Sequence, residues 1–172
     1  MSAWLFTALV VAVGLERVAE LVVSNRNAAW SFAHGGRETG RGHYLPMVIL
    51  HTGVLIAAVA EVWVLDRPFV WWGWIALLCV LLAQALRWWC ITVLGQQWNT
   101  RVIVVPGAQR IHAGPYRWLR HPNYVAVVVE GAALPLVHSA WITAISFTAL
   151  NAVLLSVRLS HENAALEQLR EA

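Results

Sequence analysis

The sequence predicts an all-α integral membrane protein with five transmembrane helices, the last two a tight helical hairpin, and a cytoplasmic cofactor-binding loop. Three observations lead there. Of 172 residues, 59% are hydrophobic and only 12% are charged, and the mean hydropathy is +0.61; soluble domains carry about a quarter charged residues. Five apolar runs approach the length of a bilayer crossing. Arg-bearing segments alternate with short stretches of few charges, as expected of a chain that crosses back and forth.

The elements follow in order. Ala3 to Val23 is the first span and ends in Glu16, Arg17 and Glu20. Glu16 and Glu20 are four apart and share a helix face, either as an interfacial anchor or paired with another span. Residues 24–43 form a polar cytoplasmic loop with three Arg and four Gly, beginning with Ser24, Asn25, Arg26 and Asn27, in which Asn27-Ala28-Ala29-Trp30 and onward offers a short interfacial helix with Trp30 and Phe32 at the headgroups. Tyr44 to Leu65 is the second span; its His51 reads as an interior histidine with a satisfied ring, and its Glu61 as a group near headgroups. The turn Asp66-Arg67-Pro68 leads to the third span, Phe69 to Leu94, whose Trp71, Trp72 and Trp74 form an interface belt. Arg87 in this span snorkels or pairs with Glu16 or Glu20.

Residues 95–120 are the longest polar stretch, with Arg101, Arg110, Arg117 and Arg120 facing the cytoplasm. Val102 to Val105 reads as an extended piece before the turn Pro106-Gly107. The hairpin occupies 121–157, and 158–172 continues as a C-terminal helix. The chain thus divides into three N-terminal helices with their loop (1–94) and a region of loop, hairpin and C-terminal helix (95–172). The N-terminus is expected outside and the C-terminus in the cytoplasm, with the protein in an inner (plasma) membrane. No cleavable signal pattern is expected at the N-terminus.

Composition narrows the function. All twelve basic residues are Arg, and the net charge of +3 comes from loops, so it reads as membrane orientation and not nucleic-acid binding. Cys79 and Cys90 share one apolar run and offer neither a metal spacing nor a disulfide framework. Chemistry concentrates in Gly114-Pro115-Tyr116-Arg117 and Arg120-His121-Pro122-Asn123-Tyr124, joined by Arg158-x-x-x-Glu162 at the end of the next span. An antiparallel hairpin returns these segments to one membrane face. Pro122 suits the first turn of a helix, where its missing N–H is no loss, and His121 then stands beside unpaired N–H groups fit for a carboxylate. Arg158 and Glu162 are one turn apart; the guanidinium suits a carboxylate or phenolate oxygen.

These motifs, with Leu94-Gly95-x-x-Trp98, resemble the isoprenylcysteine carboxyl methyltransferase family over about the last 80 residues. Glu16-Arg17-x-x-Glu20, Ser24-x-Arg26-Asn27, His34-Gly35-Gly36 and Gly42-His43-Tyr44 resemble a bacterial subgroup associated with type III polyketide synthases, whose members methylate alkylpyrones or phenolic lipids. The resemblance implies S-adenosylmethionine as methyl donor. It assigns donor contacts to Ala108, Gln109, Arg110, Ile111, Tyr116, His121, Pro122, Asn123, Tyr124 and Glu162, with Arg158 as the catalytic residue on the acceptor oxygen. The acceptor is lipophilic: an alkylpyrone, a phenolic lipid or a prenylcysteine-type carboxylate, with a type III polyketide synthase as a functional neighbour. Arg101 stands where the family often has Gln, and Ala126 where it often has Gly. Alternatives are a sterol-type NADPH reductase, which shares an Arg-His-x-Asn-Tyr-like segment, and a non-catalytic membrane partner. The shortness of the chain and His121-Pro122 favour the methyltransferase.

Overall fold

The computed structural model describes residues 1–39, 42, 44–108 and 111–171, the last eleven by their backbone alone. Five helices run up and down: α1 (Ala3–Ala33), α2 (Tyr44–Val64), α3 (Gly73–Leu94), α4 (Pro122–Leu136) and α5 (Trp141–Glu171). Two short strands, β1 (Arg37–Thr39) and β2 (Val102–Val104), pair antiparallel with Arg37 opposite Val104 and Thr39 opposite Val102. The starts of α2 and α4 and the far ends of α1, α3 and α5 meet at one end of the bundle, where the β-ribbon lies.

The expected loop at 24–43 is corrected. α1 does not stop at Val23 but continues to Ala33, so only the part beyond it leaves the helix. Ser24, Asn27, Ala28 and Ser31 are all buried, and their spacing of three and four residues is that of one helix face. Their polar atoms are satisfied by the segment after α3. The Ser24 hydroxyl lies 2.8 Å from Thr100 Oγ1 and accepts from the Thr100 N–H at 3.0 Å. Asn27 Nδ2 donates to the carbonyls of Gly95 at 3.0 Å and Trp98 at 2.7 Å. A polar helix face with a polar partner needs no water. The third helix likewise starts at Gly73, not Phe69.

Three stretches are long and apolar enough to cross a bilayer among the described residues: Tyr44–Val64, Gly73–Gln97 and Trp141–Ser160. α1 carries Glu16, Arg17 and Glu20 in its middle, and α4 has 15 residues, about 22 Å of helix against a hydrocarbon core of about 30 Å. The outward faces of the helices are nevertheless largely apolar: Leu15, Val18, Leu45, Ile49, Leu81, Leu82, Ile145 and Val153 are all exposed. An apolar surface of that extent belongs in lipid.

The hydrophobic core sits toward the end opposite the β-ribbon, around Phe6, Val10, Val62, Val80, Leu134 and Val137. There Glu61 is not at headgroups but buried, and it caps α5. Its Oε2 accepts from the Thr143 N–H at 2.7 Å and hydroxyl at 2.8 Å, and its Oε1 from the Ile142 N–H at 3.2 Å. Arg67 pairs with it at 2.9 Å. The first-turn amides that a helix leaves unpaired are thus satisfied by a neighbouring helix. α4 ends one residue after Pro135, and a turn with Ser139 at φ 58 starts α5. Gly131 permits the close approach of α4 and α5: a Cβ there would stand 1.9 Å from the Phe147 ring.

Candidate active site

Pro122 is the first residue of α4, so its fixed φ begins the helix and its missing N–H costs no helical bond. That start orients His121 and Tyr124 as stacked rings, 5.4 Å between centroids at 23°. Arg158 reaches this pair from α5. It is 5% exposed, and its Nε donates to the Tyr124 hydroxyl at 2.7 Å. One Nη2 hydrogen goes to the Thr100 carbonyl at 2.7 Å and one Nη1 hydrogen to the Met47 sulfur at 3.1 Å. A guanidinium has five N–H groups, so among the described residues one hydrogen on each terminal nitrogen is left for a further acceptor. A buried cation with one N–H on each terminal nitrogen unmatched among the described residues is suited to an anionic oxygen.

The support for Arg158 runs backward through the chain. Thr100 is fixed by Ser24 of α1, so the carbonyl that holds Arg158 is itself held. The Arg101 guanidinium lies 5.4 Å from the Tyr44 ring centroid at the start of α2.

The other expected donor contacts lie on α4, in the loop before it and on α5. Asn123, next to Tyr124, has a buried Oδ1 with no hydrogen-bond partner among the described residues; an unmatched buried acceptor is costly and fits a ligand N–H or O–H. Tyr116 lies in the short 3-10 turn Gly114–Arg117 and hydrogen-bonds Cys90 of α3. Gly114 holds φ 55 there, where a Cβ would stand 2.7 Å from Val93 and 3.0 Å from Trp89; only glycine admits both the backbone and the contact. Ala108 closes a turn by donating its N–H to the Val105 carbonyl at 3.2 Å, and Ile111 is half-buried. Gln109 and Arg110 lie outside the described residues. Glu162 lies on α5 one turn beyond Arg158, and its side chain is outside the described residues.

A second polar group lies deeper in the bundle, on α1, α3 and α4. Glu130 Oε2 accepts from Arg87 Nη2 at 2.9 Å and from Arg17 Nη2. Arg17 Nη1 contacts Glu20 at 2.6 Å, and Arg87 Nε stands 3.5 Å from it. Two guanidiniums and two carboxylates thus alternate in a closed ring with balanced charge. Gln84 extends it: its Oε1 accepts from Arg17 at 3.2 Å and its Nε2 donates to Glu16, which also accepts from the Trp88 indole. Glu20 therefore pairs with Arg87 as one of the two sequence-based alternatives has it, and Glu16 does not. Sequence reasoning missed Glu130 as its partner, and missed Met47, Thr100 and Ser24 as supports of Arg158. The only sequence signal was that charges inside spans require partners.

A model of the isoprenylcysteine carboxyl methyltransferase family matches residues 74–168, which include α3, α4, the loop between them and Arg158. An uncharacterised Bacillus subtilis protein, YpbQ, is 37% identical over 166 residues, covering 96% of each chain. An uncharacterised protein of Haemophilus influenzae is 25% identical over 154 residues, covering 89% of this chain and 90% of its own. No solved structure matches the chain significantly.

Proposed function

Because the chain belongs to the isoprenylcysteine carboxyl methyltransferase family, a family of membrane methyltransferases that use S-adenosylmethionine, we propose that it is an O-methyltransferase acting on a lipophilic acceptor at the cytoplasmic membrane face. The observation that carries this reading is Arg158, a buried cation held by Tyr124 and Thr100 with two N–H groups left toward a further oxygen. In this reading all five helices cross the inner membrane, with the N-terminus outside and the β-ribbon end in the cytoplasm. α1 crosses because Arg17 and Glu20 are closed into the ring and Glu16 accepts from Gln84 and Trp88, which offsets part of the cost of burying them.

S-adenosylmethionine, when bound, supplies a methyl group already activated on a sulfonium. Tyr116, His121 to Tyr124, Ala108 to Ile111 and Glu162 hold the donor, with Asn123 Oδ1 accepting one of its hydrogen bonds. Arg158 binds the acceptor oxygen and stabilises it as an anion, lowering its pKa by proximity of charge. The rest of the protein's task is alignment and exclusion of water. Arg158 suits a carboxylate, a hydroxypyrone or a phenol alike. An alkyl or prenyl tail would enter from the bilayer between helices. The bacterial subgroup reading favours an alkylpyrone or phenolic lipid, with a type III polyketide synthase as its source.

Calorimetric titration of the detergent-purified protein with S-adenosylmethionine and, separately, NADPH tests the proposal. Saturable binding of the first alone is expected. Binding of NADPH alone would move the chain to reductase chemistry and overturn it.

A further inference from the structure

Resting on the methyltransferase reading, we infer that the Met47 thioether is a placeholder on Arg158, displaced by the acceptor oxygen, so that the first turn of α2 gates the acceptor site. The inference starts from the three groups that hold the guanidinium. Tyr124 and Thr100 offer oxygen acceptors to Nε and Nη2, each at 2.7 Å. Nη1 instead meets the Met47 sulfur at 3.1 Å. A thioether is a weak acceptor, whereas an ionised carboxylate or phenolate oxygen forms shorter and stronger bonds to a guanidinium. Among the described residues no carboxylate pairs with Arg158, although it is 5% exposed. The weakest of its three bonds is therefore the one to sulfur, and an anionic oxygen gains most by taking that place.

The three partners also differ in freedom. The Thr100 carbonyl belongs to a backbone segment pinned by Ser24. Tyr124 is buried on α4 and its ring stacks on His121. Met47 carries an unbranched side chain with three rotatable bonds, at a half-buried position in the first turn of α2. Its neighbours Leu45, Val48 and Ile49 are exposed, on a surface suited to lipid. Met47 thus reaches from the edge of that surface to the buried guanidinium, and an acceptor whose tail lies in the bilayer meets it on the way to Arg158. The α2 backbone need not move for the exchange. The Met47 carbonyl is held by the His51 ring one turn on, 2.8 Å from Nδ1, so rotation of the side chain alone frees Nη1. No covalent bond changes: one N–H···S contact is traded for an N–H···O⁻ bond. Between turnovers the sulfur keeps a buried donor from standing unmatched, which would be costly.

The test compares the wild type with Met47→Leu, Met47→Gln and Met47→Glu. Transfer from labelled S-adenosylmethionine is followed to an S-prenylcysteine carboxylate and to a long-chain 4-hydroxy-2-pyrone, both anions at neutral pH, and donor affinity is read by calorimetry. Leucine keeps the bulk without an acceptor, glutamine supplies a neutral oxygen, and glutamate tethers an anionic oxygen beside Arg158. Met47→Leu should lower the acceptor KM by about twofold to fivefold, and Met47→Gln should raise it about tenfold, on the order of one hydrogen bond. Met47→Glu should raise it about a hundredfold or more, because a tethered group competes at an effective concentration of about millimolar. Donor affinity should stay within about twofold throughout, and kcat should change less than KM, as for a change in acceptor binding alone. A merely structural Met47 would lower kcat and Tm in all three variants without this order in KM. Met47→Glu with an unaltered acceptor KM would overturn the inference, because the oxygen then does not replace the sulfur. Met47→Leu with a raised KM would overturn it too, because the sulfur then holds the acceptor itself. Should glutamate prevent folding, the opposite signs expected for leucine and glutamine still decide. A wild type that binds no donor or transfers to neither probe would overturn the methyltransferase reading instead, and the two failures are separately visible.

Discussion

Removing the Glu130 carboxylate should be the most damaging single change outside the active site. Its Oε2 joins Arg17 and Arg87, and the side chain is 8% exposed. In Glu130→Ala, Arg17 and Arg87 lose the carboxylate they share and keep direct contact with Glu20 alone, Glu16 reaching Arg17 only through Gln84. Breaking a buried ion pair by removing one partner costs about 3–5 kcal/mol. For a chain of this length each kcal/mol shifts Tm by about 2–4 °C, so a fall of roughly 6–20 °C is expected for the detergent-solubilised protein, read by a thermal shift on tryptophan fluorescence or thiol labelling. Glu130→Ala combined with Arg87→Leu removes one charge of each sign and should recover much of the loss, because the two sites share a bond and are not additive. A Tm within 2 °C of wild type for the single variant, or strict additivity in the double, would refute the closed ring.

Other consequences are checked more simply. Arg158→Ala should lower methyl transfer by about a hundredfold, the order reached when a reacting group loses its orientation, with a much smaller change in donor affinity; the reverse pattern in titration and turnover would remove Arg158 from the acceptor. Tyr124→Phe removes the hydroxyl that accepts from Arg158 Nε and should lower turnover less, about tenfold, on the order of one hydrogen bond to a charged group. Gly131→Ala would drive a methyl into Phe147 at a cost of about 1–3 kcal/mol, seen as a Tm loss that Phe147→Ala partly relieves; an unchanged Tm would mean the helices are further apart. Glu162→Ala should weaken S-adenosylmethionine binding in a calorimetric titration, and unaltered affinity would end its assignment to the donor.

Much of the site was legible because its signals are local. Pro after His121 marks a helix start wherever it occurs in such a context, and the interval from Arg158 to Glu162 is one turn in any helix. Ser24 to Asn27 misled for the opposite reason. Four polar residues in a row look like loop when water is the only partner imagined, yet Ser24, Asn27 and Ser31 face Thr100, Gly95 and Asn99. Their helical spacing was present in the chain and would have argued for continuation of α1.

What the sequence by itself determined is the membrane character and the helical architecture, since hydropathy and proline placement act over a few residues. Which charges meet was decided only by the tertiary structure. Glu130 is 113 residues from Arg17 and 43 from Arg87, and Thr100 is 58 from Arg158. A charge inside an apolar helix demands a partner, but the demand is the same for every opposite charge at similar depth. Only the packing of α1, α3 and α4 brings Glu130 between the two arginines.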